Sequence, residues 1–160
     1  MDVRAADRID VDSLARIWYD GWNDAHTHLV PQELKQFRTL ESFRDRLDAA
    51  LDLVRVVGPR GGPLGFAMVK DDELYQLYVS APARGSGVAA ALIDDAEARL
   101  AASGVETAWL ACAIGNQRAA RFYEKRGWRR IRTERYHAET PTGSFPLDVW
   151  RYEKALSGPI

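Results

Sequence analysis

The residues best placed to do chemistry lie in Leu77-Tyr78-Val79-Ser80-Ala81-Pro82-Ala83-Arg84-Gly85-Ser86-Gly87-Val88-Ala89. Leu77 to Val79 reads as a strand end, the small residues after it as a loop, and Val88 as a helix start. Glycines let a backbone come close to a ligand and take positive φ angles. The first N–H groups of a helix have no internal acceptor and carry the positive end of its dipole, so this arrangement suits a phosphate. Arg84 adds a fixed positive charge at the loop mouth. No Gly-Lys-Ser/Thr ending follows, which disfavours a magnesium-bound nucleotide triphosphate. Nor is this the Gly-x-Gly-x-x-Gly turn that follows the first strand of a dinucleotide fold. Taken alone, the same residues serve equally well as a plain strand-to-helix connection.

A second segment narrows the ligand. In Asn116-Gln117-Arg118-Ala119-Ala120-Arg121-Phe122-Tyr123-Glu124-Lys125-Arg126-Gly127-Trp128, Asn116 is a good helix N-cap, Ala119 and Phe122 face inward, and Gly127 ends the helix. Together the two segments resemble the GNAT superfamily of N-acetyltransferases. Arg84 to Ala89 is similar to its Arg/Gln-x-x-Gly-x-Gly/Ala loop, and Asn116 to Trp128 to its Asn-x-x-Ala-x-x-Phe-Tyr-x-x-x-Gly-Phe signature, with Trp128 in place of Phe. The strong match spans about residues 64 to 130.

The resemblance implies acetyl-CoA as cosubstrate, with no metal. The backbone of Leu77, Tyr78 and Val79 would hold the pantetheine arm like an added strand. Amides of Arg84, Gly85, Ser86, Gly87, Val88 and Ala89 would bind the pyrophosphate. Asn116 would hydrogen-bond the cofactor, although its cap role explains it structurally too. The Val79 amide would face the developing oxyanion. Tyr123 would contact the cofactor and protonate the leaving thiolate, a phenol being protonated at neutral pH. The alternative for Tyr123 is a half-buried tyrosine on an amphipathic helix.

An amine acceptor must be neutral to react. For a lysine-like amine that deficit is about 3.4 pKa units, roughly 4.6 kcal/mol at pH 7. Glu73 is the candidate base, against the plainer reading of a solvated strand-end acid beside Asp71 and Asp72; Glu134 and His137 are further candidates. The family's early helices line the acceptor site, which makes Trp22 and His26 candidate substrate contacts. Trp18 and Trp22, four apart, also suit a core stripe. His26-x-His28 has metal-like spacing but lacks a cysteine or acidic partner, so no metal is expected. Cys112 reads as a buried small hydrophobe. Arg118, Arg121, Lys125, Arg126, Arg129 and Arg130 read as a solvated basic face, one member of which could reach the 3′-phosphate of CoA.

The elements that position these residues follow from hydrophobic period. Val3 to Ala6 is a short strand, and Asp10 or Asp12 caps a helix with Leu14, Ile17, Trp18, Gly21 and Trp22 on one stripe. Pro31 opens a short helix, and Thr39 caps another. Leu53 to Val57, Leu64 to Lys70 and Glu73 to Val79 form a meander. Val88 to Ala102 is a helix stopped by Gly104, and Val105 to Ile114 is an apolar strand. Trp128 to His137 and Phe145 to Tyr152 close the sheet. The expected class is α/β (α+β): one domain over residues 1–160, with a mixed, mostly antiparallel sheet of six to seven strands and about four helices.

Composition sets the outer bounds. The 160 residues are 46% hydrophobic and carry a formal charge of −1, so no global field favours nucleic acid or an anionic membrane. One cysteine excludes an intrachain disulfide framework. The start, Met1-Asp2-Val3-Arg4, lacks a signal-peptide run, so the expected compartment is the cytoplasm. The expected acceptor is a primary amine of a small or amino-acid-like molecule. Acetylation of a protein α-amine or lysine, and a catalytically idle acyl-CoA sensor, are the alternatives. Dimers are common among such domains, so a homodimer is compatible with this reading.

Overall fold

The computed structural model describes residues 1–26 and 29–156. Seven strands form one sheet in the order β1-β2-β3-β4-β5-β7-β6. They are β1 (Val3–Ala5), β2 (Val54–Val57), β3 (Gly65–Lys70), β4 (Glu73–Val79), β5 (Thr107–Ala113), β6 (Arg129–Thr140) and β7 (Gly143–Ala155). The helices are α1 (Val11–His26), the single turn α2 (Gln32–Lys35), α3 (Leu40–Ala49), α4 (Val88–Ala102) and α5 (Gln117–Lys125). All strand pairs are antiparallel except β4–β5, which is joined by the crossover helix α4. Among the described residues no helix is long and apolar enough to cross a membrane.

Each sheet face has its own core. On one side α4 and α5 bury Val88, Leu92, Ile93, Ala96, Leu100 and Ala120 against Ala67, Leu74, Leu110 and Trp128. On the other, α1 and α3 bury Leu14, Ile17, Trp18, Phe43 and Leu47 against Val56, Phe66 and Met68. Period-two alternation explains the division, since neighbouring residues of a strand point to opposite faces. Gly21 marks the closest approach of α1 to the sheet: a Cβ there would lie 2.6 Å from the Tyr78 ring. Only glycine lets α1 lie this close to β4.

Two details differ from the sequence reading. Thr39 caps α3 as expected, accepting from the Ser42 amide at 3.0 Å. Asp10, however, belongs to a 3-10 turn (Arg8–Asp10) that runs directly into α1, and its carboxylate is used elsewhere. It accepts two bonds from the Arg4 guanidinium (2.9 and 3.0 Å) and one each from the Asp7 and Gly61 amides (both 2.8 Å). Asp12 pairs with Arg44 on α3 at 2.9 Å. Both acids therefore tie α1 to other elements, in place of capping its own amides.

The fully buried Asp10 thus fixes where α1 starts relative to β1 and the β2–β3 turn. Burial alone would raise its pKa, but the Arg4 hydrogen bonds and the two amides outweigh that and hold it at about 2. Asp10→Ala leaves a guanidinium and two amides without their acceptor, and should cost about 3 kcal/mol or more. Urea unfolding at pH 7 checks this; an unchanged midpoint would refute it. Because the folded pKa lies below the unfolded value of about 3.9, wild type keeps this contribution above about pH 4. It should lose it as the pH falls through about 2.

Candidate active site

The loop after β4 is built to present amides. The Ser80 amide donates to Leu64 at 2.8 Å, a 3-10 turn (Ala81–Ala83) follows, and the chain reaches Gly85 at φ +79° and Gly87 at φ +92°. A Cβ on Gly85 would touch nothing within 4 Å, so the backbone angle alone favours glycine there. The first α4 hydrogen bond runs from the Ala91 amide to Gly87 at 3.0 Å. The amides of Val88, Ala89 and Ala90 lie before it in the first turn, where no intrahelical acceptor exists.

These amides border a cavity of about 420 Å³ lined by Leu77, Tyr78, Val79, Arg84, Gly85, Gly87, Ala89, Asn116 and Tyr123. The side chains of Ser86 and Val88 do not line it. Both the hydroxyl and the amide of Ser86 donate to the Ala83 carbonyl, and Val88 is core. Arg84 donates to Asp24 of α1 at 3.2 Å, so the loop mouth is tied to the opposite wall. Of the six basic residues singled out between 118 and 130, only Arg118 lines this cavity. Arg126 pairs with Asp94, and Arg130 lies over the Trp150 ring at 4.5 Å.

Next to this cavity the sheet opens. β4 and β5 share a single register pair, Glu73↔Trp109, beside a bond from the Trp109 amide to Asp72 at 3.1 Å. Beyond it the strands part around a gap of about 90 Å³, bordered by residues 74–78, residues 110–113, Asn116 and Tyr123. The Asn116 side chain accepts from the Ala119 amide at 3.3 Å, which commits its carbonyl to the helix cap. The Tyr123 ring sits edge-on to Phe122 (5.5 Å) and Trp128 (6.3 Å), and burial pushes its phenol pKa further up. It is therefore a proton carrier at neutral pH. Burial also pushes Cys112 up to about 12, which makes it a poor nucleophile.

On the far side of the gap lies a smaller cavity of about 120 Å³. It is walled by α1, the 30–38 segment, α3, β4, β6 and β7. The β3–β4 register slips by one residue here: Met68 pairs with Gln76 but Val69 pairs with Leu74, leaving Tyr75 as a bulge. A bulge turns successive side chains to one face, and Glu73, Tyr75, Gln76 and Tyr78 all reach this cavity.

Glu73 is 8% exposed and accepts a hydrogen bond from the Tyr136 hydroxyl at 3.1 Å. Burial raises its pKa to about 7, against the opposing pull of Tyr136 and Lys70. The solvated strand-end reading is thus overturned. The other two base candidates fare differently. Glu134 is held below the carboxylate range by Arg151 and Arg132, against the opposing effect of burial, and His137 is exposed on the outer face of β6.

Trp22 and His26 both border this cavity, and Trp22 is also core at 7% exposed. Their rings stack at 5.1 Å, and His26 Nδ1–H donates to the Trp22 carbonyl at 3.0 Å. Burial lowers the His26 pKa to about 4, leaving a neutral ring at pH 7. His28 lies outside the described residues. Among the described residues no three His, Cys, Asp or Glu side chains gather to hold a metal.

Three residues of this cavity escaped the sequence reading. Tyr136 was legible in principle, because alternation along β6 puts it on the same face as buried Ala138. Arg38 and Arg46 were not, since arginine is read as surface unless a partner is known. Arg38 is 6% exposed and donates to the Glu139 carbonyl at 2.6 Å. Arg46 packs over the Trp18 ring at 4.4 Å and donates to the Tyr75 hydroxyl at 2.9 Å.

The same fold recurs among solved structures. A GCN5-related N-acetyltransferase from Rhodopseudomonas palustris superposes with a TM-score of 0.73 at 23% identity, covering 96% of this chain and 94% of that one. The PaiA N-acetyltransferase from Thermoplasma acidophilum, in complex with coenzyme A, gives 0.67 at 17% identity, with 96% and 98% covered. The Salmonella typhimurium yncA structure, with its cofactor acetyl-CoA, gives 0.70 at 16%, with 100% and 96% covered. No curated protein matches the chain by sequence. The model of the acetyltransferase (GNAT) family matches residues 11–128, a span that holds the glycine loop, the parted strands and Tyr123. The chain belongs to the acetyltransferase (GNAT) family and is an acyltransferase.

Proposed function

We propose that this protein moves an acetyl group from acetyl-CoA directly to a primary amine of a small molecule. The observation that carries the reading is the meeting of two cavities at one opening in the sheet. The loop cavity and the gap share Tyr78, Asn116 and Tyr123; the gap and the cavity beyond it share His26, Gln76 and Tyr78. A donor and an acceptor entering from opposite sides meet there without a covalent enzyme intermediate, which fits the inert Cys112.

Each group has a task its environment suits. The unpaired amides of the glycine loop, with Arg84, bind the pyrophosphate, and Arg118 at the mouth reaches the 3′-phosphate. The parted edges of β4 and β5 hold the amide-bearing arm, and the Val79 amide faces the oxygen where charge develops. The cosubstrate supplies an activated thioester. Glu73 takes a proton from the acceptor ammonium, so that its nitrogen can bond to the acetyl carbon as the carbon–sulfur bond breaks. Tyr123 gives its phenolic proton to the departing sulfur and is reprotonated by the second proton that the nitrogen loses as the amide forms. The proton taken by Glu73 is the one released overall. The cavity beyond the gap is small, about 120 Å³, and is walled by Trp22, His26, Leu34 and Leu147, which favours a small acceptor over a protein tail.

A base with a pKa near 7 makes a direct prediction. Below about pH 7 Glu73 is protonated and cannot accept, so kcat/KM should rise with pH through an acid limb near 7. Glu73→Gln should remove that limb and lower kcat by about 100-fold or more. Profiles of identical shape for the two proteins would clear Glu73.

Tyr123→Phe should lower kcat by about 100-fold while acetyl-CoA affinity changes little, because the ring stays and only the proton is lost. Steady-state kinetics with calorimetric acetyl-CoA titration measure both; full turnover in the variant would remove Tyr123 from the chemistry. The reading as a whole is tested by release of CoA thiol across a panel of amines. Tight CoA binding with no release for any amine would make the protein a sensor.

A further inference from the structure

The inner cavity is chemically two-ended. At one end stands Glu73, bonded to Tyr136, whose charged neighbours are Lys70, Asp72 and Arg151. At the other stand Arg38 and Arg46, which border both this cavity and a wider outer one of about 500 Å³. Glu73 is not among the groups that act on Arg38, which are Arg46, Tyr75, Tyr78 and Glu139. Among the described residues Glu73 and the two guanidiniums thus border one small space without an ion pair between them.

The two guanidiniums are poorly compensated. The Nε atoms of both are buried and have no hydrogen-bond partner among the described residues. Their nearest acid is Glu139, half exposed, which stands 3.8 Å from Arg46 Nε and is shared with Lys70 at 3.5 Å. Arg38 reaches only the backbone carbonyl of that residue. Asp45 faces the outer cavity from an exposed position and does not border the inner one. Holding two like charges together, one buried and one half-buried, is costly unless an anion completes the site. Aromatic faces hold these side chains in place, with Arg46 over Trp18 at 4.4 Å and Arg38 6.0 Å from Trp22. Such packing orients a guanidinium without neutralising it.

We propose that the acceptor is an amino acid or a close amino-carboxylate. Its carboxylate docks on Arg38 and Arg46 while its amine faces Glu73. The assignment rests on the acetyltransferase reading above and adds the acceptor's second functional group. Charge-assisted bonds to guanidinium give a carboxylate both affinity and orientation. The paired positive charges also oppose protonation of the amine, which helps Glu73 draw its proton away.

The test compares L-amino acids with their carboxamides and their decarboxylated amines as acceptors, following CoA thiol release. The two comparators bracket the amino acid in amine basicity, so a preference for the amino acid over both reports the carboxylate. Wild type should favour the best amino acid roughly 10- to 100-fold in kcat/KM. Arg38→Gln should collapse that ratio to about one, mainly through KM, and Arg38→Lys should restore part of it. Arg46→Gln carries the same comparison should Arg38→Gln fail to fold, as judged by melting and CoA affinity. Carboxamides or plain amines accepted as well as amino acids overturn the proposal, as does a ratio that survives both glutamine variants.

A second readout does not depend on turnover. Calorimetry with CoA-saturated protein compares N-acetyl amino acids with their N-acetyl carboxamides. If no amine releases thiol, the acetyltransferase reading fails. The carboxylate site then stands if the N-acetyl amino acids bind at least about tenfold tighter in an Arg38-dependent manner, and falls if both bind equally.

Discussion

The structure turns on the parting of β4 from β5. β4 is held on its other side by β3 as far as Val79↔Gly65, and β5 by β7 from Thr107↔Ala155 to Ala113↔Val149. Neither strand can swing back to close the gap without breaking a complete ladder. The two therefore meet only at Glu73↔Trp109 and leave facing backbone edges inside the sheet. Interior N–H and C=O groups require partners. An extended ligand bearing its own amides would supply them, and on the proposed reading this opening is its slot. The helix that joins the two strands begins at the glycine loop, so the loop's free amides and the gap share one origin.

The same geometry sets the chemistry. Glu73 stands at the last residue pair before the strands diverge, beside Tyr136 of β6 and Arg151 of β7, and burial lifts its pKa to about 7. The Tyr75 bulge then turns two consecutive β4 side chains into the acceptor cavity. Gly21 lets α1 settle against Tyr78 and close that cavity from above. A base with a useful pKa follows from coverage by neighbouring elements, with no special charge partner needed.

Most of the fold was legible because periodicity records burial. Leu14, Ile17, Trp18 and Trp22 fell on one face as their spacing required, and the meander, the crossover and the glycine loop all lie where the pattern put them. Strand ends were less legible. β6 and β7 run to Thr140 and from Gly143, beyond the apolar stretch, because backbone pairing and not side-chain hydrophobicity sets their limits. Nothing local shows that β7 inserts between β5 and β6, since that order follows from the return of the hairpin to the open edge of β5. Within the candidate site, the loop was readable as one of two equal alternatives, and Tyr123 only through the resemblance carried by Asn116 to Trp128. Glu73 was readable as a candidate only, because its burial comes from residues more than sixty positions away.

Arg38 and Arg46 show where reading by residue type stops. Arg46 sits three residues after Phe43 on α3, on the flank of an apolar stripe where a long cationic chain ordinarily reaches water. Here the side chain lies over Trp18 and bonds Tyr75, so the guanidinium ends between the outer and the smaller cavity. Arg38 arrives from the turn after α2, where its backbone amide donates to Lys35 at 3.0 Å, and is pinned by the carbonyl of Glu139, a hundred residues later. Two chain segments and a distant hairpin must assemble before the two charges share a space. Their placement is thus a tertiary property, and so is the acceptor chemistry that it supports. The loop cavity is written largely in contiguous motifs because the end of β4, the glycine loop with the start of α4, and α5 supply most of its lining. The smaller cavity draws on α1, α3, β4, β5, β6 and β7, and only the assembled fold brings its residues together.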